Sequence, residues 1–120
     1  HYDNHDFFYI HVKATDSAGE DGDFQRKVEA IETIDNTMPD LLSLNPDVVI
    51  ITGDHSTPAT FAGHSWHPVP TLLKSAWTRR SGAQEFSETA CLTGGLGQFP
   101  ATQLLSLAMA HALKLAKYGA

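Results

Sequence analysis

The chain has one cysteine, Cys91, in 120 residues, which excludes an internal disulfide framework and any zinc ribbon or finger built on paired thiols. Basic residues are also scarce. Eight Lys and Arg stand against 14 Asp and Glu, a formal charge of −6 with His neutral. The basic pair Arg79-Arg80 does not make the continuous phosphate-neutralising surface that sequence-independent nucleic-acid binding needs. Apolar stretches such as Val48 to Ile51 fall far short of the roughly 20 residues that cross a bilayer, and no signal-peptide pattern opens the chain. These absences set the expectation of no nucleic-acid partner, no membrane, and a reducing, cytoplasmic setting. What is present is ordinary globular composition, 42% hydrophobic and 18% charged, enough for one domain with a real core. Within it, seven His in an acidic chain stand out, because His and Asp together supply the nitrogen and oxygen ligands of divalent metals. The chain opens on His1 rather than Met and on an apolar segment that reads as an interior strand, so a piece of a longer protein is expected.

Residues Phe7 to Lys13 (FFYIHVK) are β-branched and aromatic and read as a strand buried on at least one face. A polar loop, ATDSAGEDGD, is expected to follow. From Asp23 the period changes to three and four residues: Phe24, Val28, Ile31 and Ile34 or Met38 form one face of an amphipathic helix, capped by Asp21 or Asp23. Pro39 is expected to end it or to begin an irregular last turn through Leu41, Leu42 and Leu44. Val48 to Thr52 reads as a strand covered on both faces. Strand, helix, strand is a βαβ unit with parallel strands, which would bring the loops after Lys13 and after Thr52 to one sheet edge, where open α/β sheets bind ligands. Val69 to Leu73, beginning between Pro68 and Pro70, is a weaker edge-strand candidate, Glu85 to Phe86 a short one, and Ala101 to Lys117 a second helix entered through Pro100 and closed by Gly119. Gly94 to Gly97 read as a tight loop feeding that helix.

The first loop carries Asp16, Glu20, Asp21 and Asp23 but lacks the alternating acids and terminal Glu of an EF-hand calcium loop. In the second, TGDHSTP, Gly53 permits a sharp turn from which Asp54 and His55 can face one centre. An Asx-type turn with a surface His is the plainer alternative; as metal ligands the pair suits Mn, Zn, Fe or Mg. His64 lies nine residues beyond His55 and opens HSWHPVP, which also carries His67. Lys13, at the end of the first strand, reads as solvated or as facing a phosphate. Cys91, with no basic neighbour, reads as an inert thiol.

TDSAGEDGD (15–23), TGDHSTP (52–58) and HSWHPVP (64–70), in this order and spacing, resemble the metal-binding motifs of the cofactor-independent phosphoglycerate mutases, archaeal type, in the alkaline phosphatase superfamily. GGLGQFPA and the closing KYGA are similar to that family's carboxyl end, so the resemblance covers nearly the whole chain. It implies a three-layer α/β/α, alkaline-phosphatase-like fold with mostly parallel strands, of which residues 1–120 supply part of the sheet as the carboxyl-terminal portion of a metalloenzyme domain. It implies two divalent metal ions, Mn2+ or Mg2+ with Zn2+ as an alternative. Asp16, Glu20 and His64 would hold one and Asp54 and His55 the other, while His67 would lie behind the ligands or face substrate. Well-studied branches of the family carry His where this chain has Glu20; a carboxylate there favours Mg or Mn over softer ions.

The activity implied is interconversion of 2-phosphoglycerate and 3-phosphoglycerate, in glycolysis and gluconeogenesis, through a serine nucleophile. Ser17, Ser56 and Ser65 do not match that serine's position. It is expected upstream, in an amino-terminal remainder acting as this chain's partner, so the chain alone is expected to be inactive. The alternatives are another phosphotransferase or phosphatase of the same superfamily, and a metal-binding domain without chemistry.

Overall fold

A computed structural model describes residues 2–116. In chain order these form α1 (Ala14–Glu20), α2 (Phe24–Ser43), β1 (Val48–Ile51), β2 (Leu72–Ser75), α3 (Glu88–Cys91) and α4 (Leu104–His111), with 3-10 turns at Tyr2–Asn4 and Ala101–Gln103. The class is α/β, as expected. Contacts divide the chain into two units. The first runs up to Met38 and includes Thr57–Ser65; the second takes Pro39–Ser56 and the residues from Trp66 onward.

The first unit corrects two expectations. Residues 7–13 form no strand. A strand exists only through a ladder with a neighbour, and among the described residues the sheet has two strands, neither of them here. Phe7, Tyr9 and Ile10 are exposed, and the aromatic rings stack among themselves, Tyr2 on Phe8 and Tyr9 on His11. The acidic segment expected to be a loop is instead the helix α1. Gly22 at φ 69° closes it, with Asp23 N–H donating back to the Ala18 carbonyl at 2.9 Å, the left-handed glycine stop that frees a helix end without strain. Asp23 then caps α2, its Oδ1 accepting from Arg26 N–H at 2.9 Å.

Helix α2 follows the expected period, with Val28, Ile34 and Met38 half-buried and Phe24 and Ile31 exposed. It does not end at Pro39, which lies inside it. Proline lacks an N–H, so the turn around it forgoes the bond to the Asp35 carbonyl, and the remaining turns carry the helix to Ser43.

In the second unit β1 forms where the β-branched run predicts it, with Val49 buried. Its partner β2 is antiparallel, pairing Val48 with Ser75 and Ile51 with Leu72, so the described residues contain no parallel βαβ crossover. The second strand also begins three residues later than expected, because Pro68 and Pro70 have no N–H to donate to a ladder. Just past the ladder, side chains replace it: Thr52 Oγ1 donates to the Pro70 carbonyl at 3.2 Å and meets Thr71 Oγ1 at 2.9 Å. Glu85 and Phe86 form no strand; Ser87 follows, its Oγ accepting from Ala90 N–H at 3.2 Å to cap α3. Helix α4 enters through Pro100 and a 3-10 turn, then stops at His111, where Leu113 at φ 56° and a Lys114 N–H bond to the Met109 carbonyl at 2.9 Å close it. The expected stop at Gly119, Lys117 and the KYGA end lie outside the described residues, as does His1. Ser75 Oγ and His111 Nδ1, 3.0 Å apart, tie the end of β2 to α4.

Candidate metal centre

Once α1 is helical, the acidic segment acquires a geometry that its sequence spacing did not convey. Asp16 and Glu20 stand four residues apart and therefore on one helix face. His64, from the stretch Thr57–Ser65 of the same unit, reaches both: its Nε2 lies 3.2 Å from Glu20 Oε1 and 3.6 Å from Asp16 Oδ1. The Asp16 side chain is 13% exposed, against 47% for Glu20 and 54% for His64, so the carboxylate at the base is fixed while its two neighbours open toward solvent. Two carboxylates and an imidazole nitrogen within this span are a donor set suited to a hard or borderline divalent cation.

Behind Asp16 stands a residue that sequence reasoning passed over. Thr57 is 4% exposed, and its Oγ1 donates to Asp16 Oδ1 at 2.8 Å. The Thr57 carbonyl accepts from the Lys27 ammonium on α2. Gly19 packs against the same carbonyl so closely that a Cβ there would run into it. The sequence signal was available: a Thr sits between Ser56 and Pro58 in the motif that holds Asp54 and His55. Lys13 is solvent-exposed, as expected, but it precedes α1 instead of ending a strand, and it ion-pairs with Asp16 Oδ2.

The second unit holds Asp54 and His55, directly beyond β1, with His55 Nε2 3.6 Å from Asp54 Oδ2. Asp54 Oδ1 also accepts from the adjacent His55 N–H at 3.1 Å, one residue short of the bond to residue i+2 that defines an Asx turn. Gly53 lies outside the left-handed region, and a Cβ there would meet its neighbours only at ordinary van der Waals distance, so the turn does not require glycine at this position. Val69 Cγ1 would be 3.5 Å from a Cβ there. His67 is exposed and stacks on Trp66 with ring centroids 5.0 Å apart. Each unit thus carries one of the two expected ligand groups.

Acidic and histidine side chains so placed on an α/β frame suit a divalent cation, and the chain belongs to the Metalloenzyme superfamily, whose profile matches residues 1–111. Over 119 residues it is 54% identical to a probable 2,3-bisphosphoglycerate-independent phosphoglycerate mutase of Thermotoga maritima, covering 99% of this chain and 30% of that protein. The correspondingly named protein of Thermus thermophilus is 53% identical over 116 residues, 97% of this chain and 29% of its own length. The solved structure of the PH0037 protein from Pyrococcus horikoshii superimposes with a TM-score of 0.92 at 35% identity, over 98% of this chain and 37% of that one. The chain spans about 30% of the length of the curated relatives it matches. No described helix is long and apolar enough to cross a membrane.

Proposed function

We propose that residues 1–120 are the carboxyl-terminal, metal-holding portion of a cofactor-independent phosphoglycerate mutase. The full protein would interconvert 2-phosphoglycerate and 3-phosphoglycerate. The observation that carries this reading is the convergence of His64 on Asp16 and Glu20, in a chain more than half identical to proteins bearing that name. Asp16, Glu20 and His64 would hold one divalent ion and Asp54 and His55 contribute to a second, with Mn2+ or Mg2+ favoured by the carboxylates. When bound, such ions supply Lewis-acid stabilisation of phosphoryl oxygens and a lowered pKa for a hydroxyl nucleophile. This chain's own part is to hold and orient: Asp16 anchors from its half-buried position, and Glu20 and His64 close around it. The nucleophilic serine belongs to an amino-terminal remainder, and a cytoplasmic setting goes with the activity.

The test uses the full-length protein with 3-phosphoglycerate, followed by phosphorus NMR. Equilibration with 2-phosphoglycerate that stops on chelation and returns with Mn2+ is expected. Release of inorganic phosphate from a generic phosphomonoester, without interconversion, would move the assignment to another phosphatase or phosphotransferase of the superfamily.

A further inference from the structure

We infer that Thr57 is a positioning residue for the Asp16 carboxylate, clamped in place by Lys27, and that it sets the divalent-metal affinity of the Asp16, Glu20 and His64 group. This rests on the metal-holding role proposed for that group. Thr57 is the one buried polar side chain among the described residues, and burial of a hydroxyl is tolerated only with a partner. Its partner is Asp16 Oδ1, 41 residues away in sequence and 2.8 Å away in space.

The bond does more than satisfy the hydroxyl. A carboxylate oxygen has two lone pairs; with one taken by the Thr57 hydroxyl, the carboxylate loses rotational freedom about its terminal torsion and its remaining lone pairs point in fixed directions. Ligands held by a partner in this way bind metal more tightly, because the orientation is established before the ion arrives.

The Thr57 backbone is itself held from two sides. The Lys27 ammonium donates to its carbonyl, and Gly19 lets α1 approach that same carbonyl without an intervening side chain. One residue therefore joins α1, which bears Asp16 and Glu20, to α2, which bears Lys27, and it stands seven positions before His64 on the segment that leads there. A purely structural threonine would need only some acceptor. Here the acceptor is a candidate metal ligand, and the clamp fixes the donor that aims it.

The experiment measures Mn2+ binding to the full-length protein, by the electron paramagnetic resonance of free Mn2+, at the site that Asp16→Asn abolishes. Thr57→Val keeps the shape and removes the hydroxyl; it is expected to weaken binding by about 10- to 100-fold, the usual effect of losing a ligand's orienting partner. Thr57→Ser keeps the hydroxyl and is expected to stay within about threefold of the unaltered protein, on the same reasoning. Thermal unfolding in EDTA is measured in parallel. Unchanged Mn2+ affinity in folded Thr57→Val would overturn the inference, as would an equal loss in Thr57→Ser. If Thr57→Val does not fold, Lys27→Met decides: it leaves the hydroxyl but frees the Thr57 backbone, and undiminished Mn2+ affinity would reject the clamp. Failure of the unaltered protein to bind Mn2+ in an Asp16-dependent way would instead overturn the metal reading on which the inference stands.

Discussion

Glu20 Oε1 lies 3.2 Å from His64 Nε2, joining a helix to a loop 44 positions further along the chain. At this distance a carboxylate can serve as an oxygen ligand beside the imidazole. Glu20→Gln in the full-length protein is expected to lower Mn2+ content at this group with little change in folding, since substitution of so exposed a side chain usually shifts stability by no more than about 0.5 kcal/mol. Glu20→His is expected to shift preference from Mg2+ toward Zn2+, because it replaces a hard oxygen with a borderline nitrogen. Competitive metal titration followed by elemental analysis measures both; an unchanged Mn2+ content in Glu20→Gln would remove Glu20 from the ligand set.

Asp54 and His55 make a second, separable prediction. Asp54→Ala and His55→Ala are each expected to reduce divalent-metal occupancy of the full-length protein. Elemental analysis after exhaustive dialysis provides the readout, and occupancy unaltered in both variants would sink that part of the site.

How much of this was legible in the sequence depends on whether a pattern is self-contained. Helix α2 repeats its apolar positions over several turns and β1 is an unbroken β-branched run, so both were readable from their own residues. Helix α1 was not. Ala14–Glu20 has no apolar stripe and carries a glycine, so its helicity follows from packing around Ala18 and Gly19, the buried pair, rather than from propensity. The candidate ligands Asp16, Glu20 and His64 were legible as types in motifs; Thr57 stood in the TGDHSTP motif too, but its orienting role was not legible, because such a role exists only relative to a partner in space. Residues 7–13 show the converse: composition reports that a segment suits a sheet without reporting where its neighbour is.

That segment yields a prediction of its own. Its amides are expected to exchange rapidly with solvent in the 120-residue chain and to become protected in the full-length protein, where further strands would be available to pair with it. Hydrogen exchange by mass spectrometry resolves the peptide. Equal exchange in both proteins would mean that Phe7, Tyr9 and Ile10 stay exposed without a strand partner.

Gly19 is expected to be intolerant of even one methyl group. It is buried, and its missing Cβ leaves room for the Thr57 carbonyl. Gly19→Ala gains helix propensity of about 1 kcal/mol but must push that backbone aside, and overpacking of this kind costs about 1–3 kcal/mol. A net loss of up to about 2 kcal/mol in urea denaturation is expected, with weaker Mn2+ binding beside it, since the displaced residue is the one that holds Asp16. A gain in stability would show that the carbonyl yields freely.

Pro39 offers the opposite case, a residue whose removal should strengthen the fold. It lies inside α2, exposed, where it cannot donate to the Asp35 carbonyl and where its ring crowds that same carbonyl. A proline in a helix interior costs about 3 kcal/mol relative to alanine. Against this, proline restricts the unfolded chain and so stabilises by about 0.4–1 kcal/mol, an advantage that alanine forfeits. The helix penalty outweighs the restriction of the unfolded chain, and because the ring is exposed little packing is lost. Pro39→Ala is therefore expected to raise stability by roughly 2 kcal/mol, seen as a higher urea midpoint at unchanged slope, and to increase the helical circular dichroism signal. No gain in either would mean that the turn from Pro39 to Ser43 is not continuous with the helix before it.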